Sequence, residues 1–233
     1  MGRLVVTDLT RFTNKPEHVC LAGLTLDGGH CIRPMPYLTH QQYKAMGVRP
    51  GVVLEADFGS QHHFEAPHVE DWQYRKIQVV NGFDGNLLNH VLAASAFDSL
   101  TGGFGVDVDL KHISINPNKI PVRSIVTLAV SSENFSLRID SYGKLKADFS
   151  DASGVGRSYI PVTDIGLNHH VQVSSDKLAA IAELNEHFRS QSSHFLRIGI
   201  TRPWQSDDGR NGYWLQLNAA YSFPVLHRSV EEY

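Results

Sequence analysis

Short segments rich in β-branched and aromatic residues recur along the whole chain and constrain its fold more than any other feature. Gly, Pro, Asn or Asp residues separate them, which is typical of strands joined by turns. The clearest segments are RLVVTDL, HVCLAGLTL, GVVLEADF, KIQVV, RSIVTLAV, FSLRIDSY, LKADFS, HFLRIGI and YWLQLNAAYSF. The pattern predicts a mainly β protein with a few helices, built from small barrels and not from a parallel α/β sheet.

Two turns set the register of hairpins. FSLRIDSYGKLKADFS alternates apolar and polar residues on both sides of a glycine, which predicts a hairpin. In HVCLAGLTLDGGHC, a turn at Asp-Gly places Cys31 opposite Leu24 or Thr25. Cys20 then lies several residues further along, so we expect two buried thiols in a reducing compartment and no disulfide.

The sequence also predicts helices at a few positions. One covers NLLNHVLAASAF at 86–97, and a short one follows Thr39 and ends at Gly47. The longest covers 174–190 and begins at a serine N-cap. Its buried face is expected to consist of Leu178, Ile181, Leu184 and Phe188.

A short internal similarity indicates two units. LTRF, at 9–12, and ITRPW, at 200–204, each end a strand with Thr-Arg and a following aromatic residue. Two barrels of about 115 residues each suit the length. We place a first barrel with a helical insertion at 1–118 and a second barrel with a long helix at 119–233, and leave open whether the barrels exchange strands.

The charge distribution excludes a protein that holds duplex DNA by charge alone. The net charge is −3, and residues 51–110 carry two Lys or Arg against nine Asp or Glu. A phosphate ligand would therefore have to meet a local cluster of arginines. The same acidic segment, 51–110, is a candidate docking surface for a protein partner.

Arginine and aromatic residues recur together at strand ends, where a small barrel presents its loops. Arginine binds phosphate bidentately, and an aromatic ring stacks on a base. This combination predicts a nucleic-acid or nucleotide site formed by Arg11, Phe12, Arg33, Tyr37, Arg202, Trp204, Trp214, Gln216 and Asn218. In the alternative interpretation, the aromatic residues belong to the core and the arginines cap sheet ends or pair with Asp8 and Asp164.

The segment QHHFEAPHVEDW supports a different hypothesis, a metal-dependent enzyme acting on a nucleotide or phosphodiester. His62, His63 and His68 are its candidate ligands for Zn²⁺ or Mn²⁺. Their spacing matches no established ligand pattern, and Pro67 breaks any helix that would align them. A solvated acidic loop is therefore the favoured interpretation. NHH, at 168–170, is interpreted as a surface turn, with a general base as the less favoured alternative.

Motifs for catalysis or for a cofactor are absent from the sequence. The chain has no P-loop and no G-x-S-x-G, C-x-x-C or G-x-G-x-x-G pattern. TGGFGVD, at 101–107, is glycine-rich, but no strand leads straight into it and no helix is predicted to follow. ASGVGRSY, at 152–159, is a similar case with Arg157 in its favour. We predict a binding protein without a cofactor.

The sequence contains neither a membrane-spanning run nor a secretion signal. No run approaches the roughly 20 apolar residues that a membrane helix needs. The first residues lead straight into a strand-like segment and lack the pattern of a signal peptide. We expect a cytoplasmic protein.

Several segments together resemble one family. VTDLTRF and HVCLAGLTLDGGHCIRPMPY, then RPGVVLEADF, PHVEDW and YIPVTDIGL, and finally LRIGITRPW and GYWLQLNAAYSFP are similar to the prokaryotic dual OB-domain family, in order along nearly the whole chain. The resemblance implies two OB-like β-barrels packed together. It also implies a nucleic-acid or nucleotide sensor, not a catalyst, from genomic neighbourhoods linked to phage defence.

The resemblance extends to individual residues at both ends of the chain. It covers Arg11, Cys20, Ala22, Gly23, Ile32, Arg33 and Pro34, and then Asp164, Arg202, Pro203, Gln216 and Asn218. It therefore adds Asp164 to the predicted binding residues. The chain has Ala219 where the family pattern is expected to have a glycine. A binding module is the first hypothesis, and a metal-dependent enzyme or a protein-interaction scaffold are the alternatives.

Overall fold

The computed structural model describes residues 1–12, 15–59, 66–116, 118–207, 209–231 and 233. The strands are β1 (Gly2–Arg11), β2 (His18–Thr25), β3 (Cys31–Met35), β4 (Leu38–Thr39), β5 (Val53–Phe58), β6 (Asp71–Asn81), β7 (Ala96–Phe97), β8 (His112–Ser114), β9 (Ile125–Val130), β10 (Phe135–Ile139), β11 (Leu145–Ser150), β12 (Gly156–Pro161), β13 (Ser193–Ile200), β14 (Trp204–Gln205) and β15 (Asn211–Phe223). The helices are α1 (His40–Ala45), α2 (Gly85–Ala94), α3 (Leu100–Phe104), α4 (Ile165–Val173) and α5 (Lys177–Ser190). Short 3-10 turns lie at Ser132–Asn134 and Arg228–Glu231. In this described part of the chain, no helix is both long enough and apolar enough to cross a bilayer.

The first barrel is closed by β1, β2, β3, β6 and β5. Its neighbouring strands are antiparallel except β3 and β6, which run parallel. Because α1 lies between the third and fourth of these strands, the order is that of an OB fold. Leu4, Leu21 and Leu54 fill the interior. At Gly23, a Cβ would lie 2.4 Å from the Val5 carbonyl oxygen, so the close approach of β1 and β2 requires glycine.

The second barrel repeats this order with its first strand interrupted. β9 pairs with β13 and β10 pairs with β11, and the 3-10 turn between β9 and β10 divides what would be one long strand. β11 pairs with β12, and β13 pairs with β15. A parallel bridge between Val162 and Leu217 then joins the end of β12 to β15. α4 and α5 lie between the third and fourth strands, which is the position of α1 in the first barrel.

Residues 82–124 connect the two barrels. In this segment β7 pairs with β9 and β8 pairs with β15, while α2 contributes apolar residues to a core shared with β1 and β15. Polar contacts also join the barrels, since Arg197 on β13 donates from Nε to Asp8 on β1 at 3.0 Å. The prediction of two packed OB-like barrels in a mainly β protein is confirmed. Their division at residue 118 stays a prediction.

The predicted hairpins are confirmed. β10 pairs with β11, and Gly143 in the turn between them has φ +73°. Leu24 lies opposite Cys31 in the hairpin of β2 and β3. Cys20 and Cys31 are both free and partly buried, and the Cys31 sulfur accepts a hydrogen bond from Arg197 at 3.2 Å.

The predicted helices correspond to α1, α2 and α5, although α2 ends at Ala94 and residues 96–97 form a strand. Four further details are wrong. Asp176 caps α5 in place of a serine, because its carboxylate accepts the N–H groups of Leu178 and Ala179, both at 3.0 Å. Leu178 is 73% exposed, since the first turn lies outside the packed face of the helix. The NHH motif lies within α4 and not in a turn, because Asp164 caps a helix there. TGGF, similarly, belongs to the short helix α3.

Candidate ligand-binding site

Arg33 lies on the outer face of the first barrel, next to Ile32, which points into the core. The parallel pairing of β3 and β6 places Arg33 opposite Asp71, so the register of the sheet itself brings the two together. Arg33 Nε donates to Asp71 Oδ1 at 2.5 Å, and Arg33 Nη2 lies 3.2 Å from His68 Nδ1. The Arg33 side chain is only 8% exposed. It is therefore a buried cation held by a carboxylate.

Arg202 reaches the same carboxylate from the second barrel. Its Nη2 donates to Asp71 Oδ2 at 2.5 Å, and its side chain is 56% exposed. Burial by itself would raise the pKa of Asp71. The guanidinium groups of Arg33 and Arg202 have the larger combined effect and hold this pKa below its ordinary value. The three side chains together carry one positive charge in excess, and Arg202 is the accessible cation among them.

Phe12 and Tyr37 form an aromatic pair beside these charges. Their ring centroids lie 4.7 Å apart, with the rings tilted by 55°. Burial raises the pKa of the Tyr37 hydroxyl, and the charges of Arg33, Asp71 and Arg202 also act on it. The structure therefore brings together Phe12, Tyr37, Arg33 and Arg202 of the predicted set.

Trp204 and Trp214 form a second aromatic pair immediately beyond Arg202. Their ring centroids lie 5.8 Å apart, and Trp214 Nε1 donates to the Trp204 carbonyl at 3.1 Å. His112 stacks on Trp214 at 5.0 Å, and the Arg210 guanidinium also lies 5.0 Å from that ring. Trp204 is 54% exposed. An exposed indole next to arginines is a surface on which a base can stack.

Arg11 and Asp164 lie at the junction of the two barrels. Arg11 is exposed at the end of β1, and its backbone N–H donates to the Thr163 carbonyl at 3.0 Å. Asp164 is buried, and its carboxylate accepts hydrogen bonds from the Leu167 N–H at 2.7 Å and the Tyr233 hydroxyl at 2.6 Å. Burial raises the pKa of Asp164 to about 7. Asp164 therefore begins α4 and is closed off from solvent.

Asn218 and Gln216 lie on β15, the strand that also carries Trp214. Asn218 is the bulged residue between Leu217 and Ala219, and its side chain accepts a hydrogen bond from the Thr163 hydroxyl at 3.3 Å. It is buried, whereas Gln216 is partly buried. The Asn218 amide ties β15 to the segment that closes the second barrel.

The carboxylates that pair with Arg33, Arg202 and Arg197 were not identified from the sequence. The expected partners Asp8 and Asp164 are wrong for Arg33 and Arg202, which share Asp71. Asp8 instead binds Arg197, a fully buried residue that no sequence motif singled out. The sequence gives no signal for these pairs, because sheet register and barrel packing create them.

The metal hypothesis does not fit the part of the site that the structure describes. His62 and His63 lie outside the described residues. His68 is buried, and its pKa is lowered to about 3, first by burial and then by the charges of Arg202 and Arg33. A metal ion at His68 would meet the same repulsion from two guanidinium groups.

A second group of metal-ligand residue types lies at α4, α5 and the C-terminal 3-10 turn. The ligand atoms of His170, Glu183 and His227 lie within 4.8 Å of one another. However, the Ser229 N–H donates to Nδ1 of His227 at 3.0 Å, so the neutral ring carries its proton on Nε2, the atom that faces Glu183. A metal would need a lone pair on that atom. Arg228 also binds Glu183, at 3.1 Å, so the group does not fit a metal.

A cavity of about 580 Å³ lies between the barrels. Its principal polar groups are already engaged in internal hydrogen bonds. Glu70 accepts from the backbone and hydroxyl of Ser124 at 2.8 and 2.7 Å, and Arg197 is bonded to Asp8 and to Thr127. This cavity therefore offers a polar ligand less than the exposed surface at Arg202 and Trp204.

The two barrels and the exposed face at their junction define an OB-fold binding module. The sequence profile of the dual OB-containing domain family matches residues 11–220, which span both barrels and the segment between them. The chain belongs to this family. No curated protein gives a significant match to it, and neither does any solved structure.

Proposed function

We propose that the protein binds short single-stranded nucleic acid, or a nucleotide, without catalysing a reaction. The observation that carries the proposal is the meeting of Arg33 and Arg202, one from each barrel, at the single carboxylate of Asp71. OB barrels bind oligonucleotides and oligosaccharides on the face of their second and third strands, and Arg33 lies on the third. Guanidinium groups beside flat rings favour nucleic acid between these two ligand classes.

The proposal gives the residues of the site different roles according to their burial. Arg202 and Trp204 are exposed and contact the ligand, Arg202 at a phosphate and Trp204 at a base. Arg33 is buried and positions Asp71, which in turn orients Arg202. Phe12 and Tyr37 provide a second stacking surface on the first barrel.

The other predicted residues support this surface. Arg11 is exposed and offers a further cation at the barrel junction. Asp164 and Asn218 are buried and hold α4 and β15 in place, and Gln216 lies beside Asn218 on the same strand. In this proposal Asp164, Asn218 and Gln216 do not contact the ligand directly.

The overall charge favours a short ligand. A net charge of −3 gives no general attraction for a long polyanion. The setting is also part of the proposal: a reducing cytoplasm, in which Cys20 and Cys31 stay as thiols, and the prokaryotic phage defence that the family resemblance suggests. Docking of a protein partner on the acidic segment 51–110 stays a prediction.

Fluorescence polarisation tests the proposal. The full chain is titrated into labelled single-stranded DNA, single-stranded RNA, duplex DNA and a panel of nucleotides, each at two salt concentrations. We expect a single-stranded or mononucleotide ligand to bind more tightly than the duplex, with an affinity that falls as salt rises. Absence of binding to every probe would refute the proposal.

Arg202→Ala is the variant that tests the assigned role of the exposed cation. We expect affinity to fall at least about tenfold and the salt slope to flatten by about 0.7, because one phosphate contact on a single strand is lost. Arg189→Ala is the matched control, since it removes an exposed arginine on α5 with the same change in charge. Equal losses in the two variants would show a general charge effect and not a site at Arg202.

A further inference from the structure

The second barrel has an aromatic and cationic surface of its own. It lies on β10, β11 and β12, and its central residue is Tyr159, which is 46% exposed. The Arg138 guanidinium lies 5.0 Å from the Tyr159 ring centroid, and Lys111 Nζ lies 5.5 Å from it. By position in the OB strand order, β11 and β12 are the second and third strands, which form the ligand face of such a barrel.

The backbone of β12 is distorted at this tyrosine. Ala147 pairs with Ile160, and Phe149 pairs with Arg157, so Ser158 and Tyr159 together lie opposite Asp148. Tyr159 has φ +60°, in the left-handed region that a tyrosine rarely adopts. Such outliers concentrate at ligand sites, where the surrounding structure holds them in place.

Asp148 holds this conformation. Its Oδ1 accepts the Tyr159 N–H at 2.8 Å, and its Oδ2 accepts Arg138 Nε at 2.7 Å. One carboxylate therefore positions both the ring and the cation beside it. Because Ser158 and Tyr159 both point outward, the bulge exposes the Tyr159 ring to solvent. The ring is therefore not part of the hydrophobic core.

Lys111 connects this surface to the site at Arg202. Its carbonyl accepts the Leu215 N–H at 2.9 Å, which places Lys111 next to Trp214 on β15. Trp214 contacts Trp204, and Trp204 follows Arg202 by two residues. A line of contacts therefore leads from Trp204, two residues after Arg202, through Trp214 to the neighbouring backbone of Lys111, whose Nζ lies 5.5 Å from the Tyr159 ring centroid.

We infer that one nucleic-acid strand crosses both barrels along this line, with a base stacked on Tyr159 and phosphates beside Lys111 and Arg138. The inference rests on the proposed function and extends it, because it makes the second barrel a ligand-binding element with its own stacking residue. A single OB barrel covers roughly 4–16 nucleotides. A strand that uses both barrels must therefore be longer than one that uses the Arg202 site alone.

A length series of oligothymidylates tests the inference. Probes of about 6 and 12 nucleotides lie within the range that one OB barrel covers, and a probe of about 24 nucleotides exceeds it. We expect Tyr159→Ala to lower the affinity for the longest probe by about 5- to 150-fold, as the loss of one stacking contact predicts. The affinity for the shortest probe should fall by less. Tyr159→Phe keeps the ring and is expected to bind like the wild type.

Tyr142→Ala is the matched control, since Tyr142 is a tyrosine at the tip of the neighbouring hairpin and is 86% exposed. It is expected to leave every affinity unchanged. Photocrosslinking of the longest probe, substituted with 5-iodouracil, gives an independent measurement. We expect mass spectrometry to find both Tyr159 and Trp204 attached to it. Circular dichroism and thermal melting establish that each variant is folded.

The outcomes separate this inference from the proposed function. Suppose that the wild type binds the probes and that Arg202→Ala lowers the affinity for them. If Tyr159→Ala then binds the longest probe normally and no crosslink forms at Tyr159, only the second surface is refuted. If the wild type binds no oligothymidylate of any length, this inference fails, and the proposed function fails with it only if the RNA and nucleotide probes also give no binding. An equal loss in Tyr142→Ala and Tyr159→Ala also overturns the assignment to Tyr159.

Discussion

The Arg33 site and the Tyr159 site contain the same kinds of groups in different environments. Each combines two cations, one carboxylate and a flat ring. At the first site the Arg33 side chain is 8% exposed, and Asp71 links groups from both barrels. At the second site the Arg138 side chain is 47% exposed, and Asp148 acts within one sheet.

This difference shows how burial changes what a shared carboxylate contributes. A buried cation that loses its partner is left uncompensated in a poorly polarisable interior, whereas an exposed one is solvated by water. We therefore expect the Asp71 network to contribute mainly to stability and to the joining of the barrels. The Asp148 network contributes mainly to the shape and charge of a ligand surface.

Removal of the two carboxylates gives the largest expected difference. Asp71→Ala leaves the Arg33 guanidinium buried without its partner, so we expect the free energy of unfolding to fall by about 3–5 kcal/mol. Asp148→Ala, the matched variant, breaks an exposed pair and one backbone contact and is expected to lose about 1 kcal/mol. Urea denaturation of both variants measures the difference. Similar losses would contradict the contrast between the sites.

Substitution of Tyr159 by glycine sharpens the account of the second site. Glycine adopts a positive φ without strain, so Tyr159→Gly should be more stable than Tyr159→Ala by about 1 kcal/mol. At Tyr142, where φ is not positive, the order of glycine and alanine should be reversed. Thermal melting of the four variants provides the test. Alanine being the more stable at both positions would show that residue 159 is not strained in solution.

The smallest expected effect is a change in the pKa of His68 when Arg202 is replaced. Arg202 helps burial to lower this pKa to about 3, so Arg202→Ala should raise it, which NMR titration of the imidazole measures. An unfolded histidine binds a proton near pH 6.5, so the folded state loses stability as the pH falls from about 6.5 towards 3. The loss should be smaller in Arg202→Ala. Arg138→Ala, at the other site, should leave the His68 pKa unchanged, and a shift of equal size there would contradict the assignment.

Local sequence signals were sufficient for much of the fold. Alternation and turn residues predicted the hairpin around Gly143 and a pairing of Cys31 with Leu24 or Thr25, of which the structure has Leu24. Both predictions depend on neighbouring residues. Repeated arginine and aromatic residues at strand ends also selected Arg33, Tyr37, Arg202 and Trp204, which the structure brings to one region. The N-cap of α5 and the helix around NHH were missed, because aspartate and serine are both good caps and only packing selects between them.

The sequence by itself determined the strands, the hairpins and which residue types were available for a ligand. Only the tertiary structure decided which charges meet, since Asp71 is 38 residues from Arg33 and 131 residues from Arg202. It also decided that Arg33 is buried while Arg202 is exposed, and that a bulge opposite Asp148 turns Tyr159 outward. The physical reason is that local patterns act through adjacent backbone groups, whereas burial and charge pairing depend on the register and packing of strands that are distant in the chain.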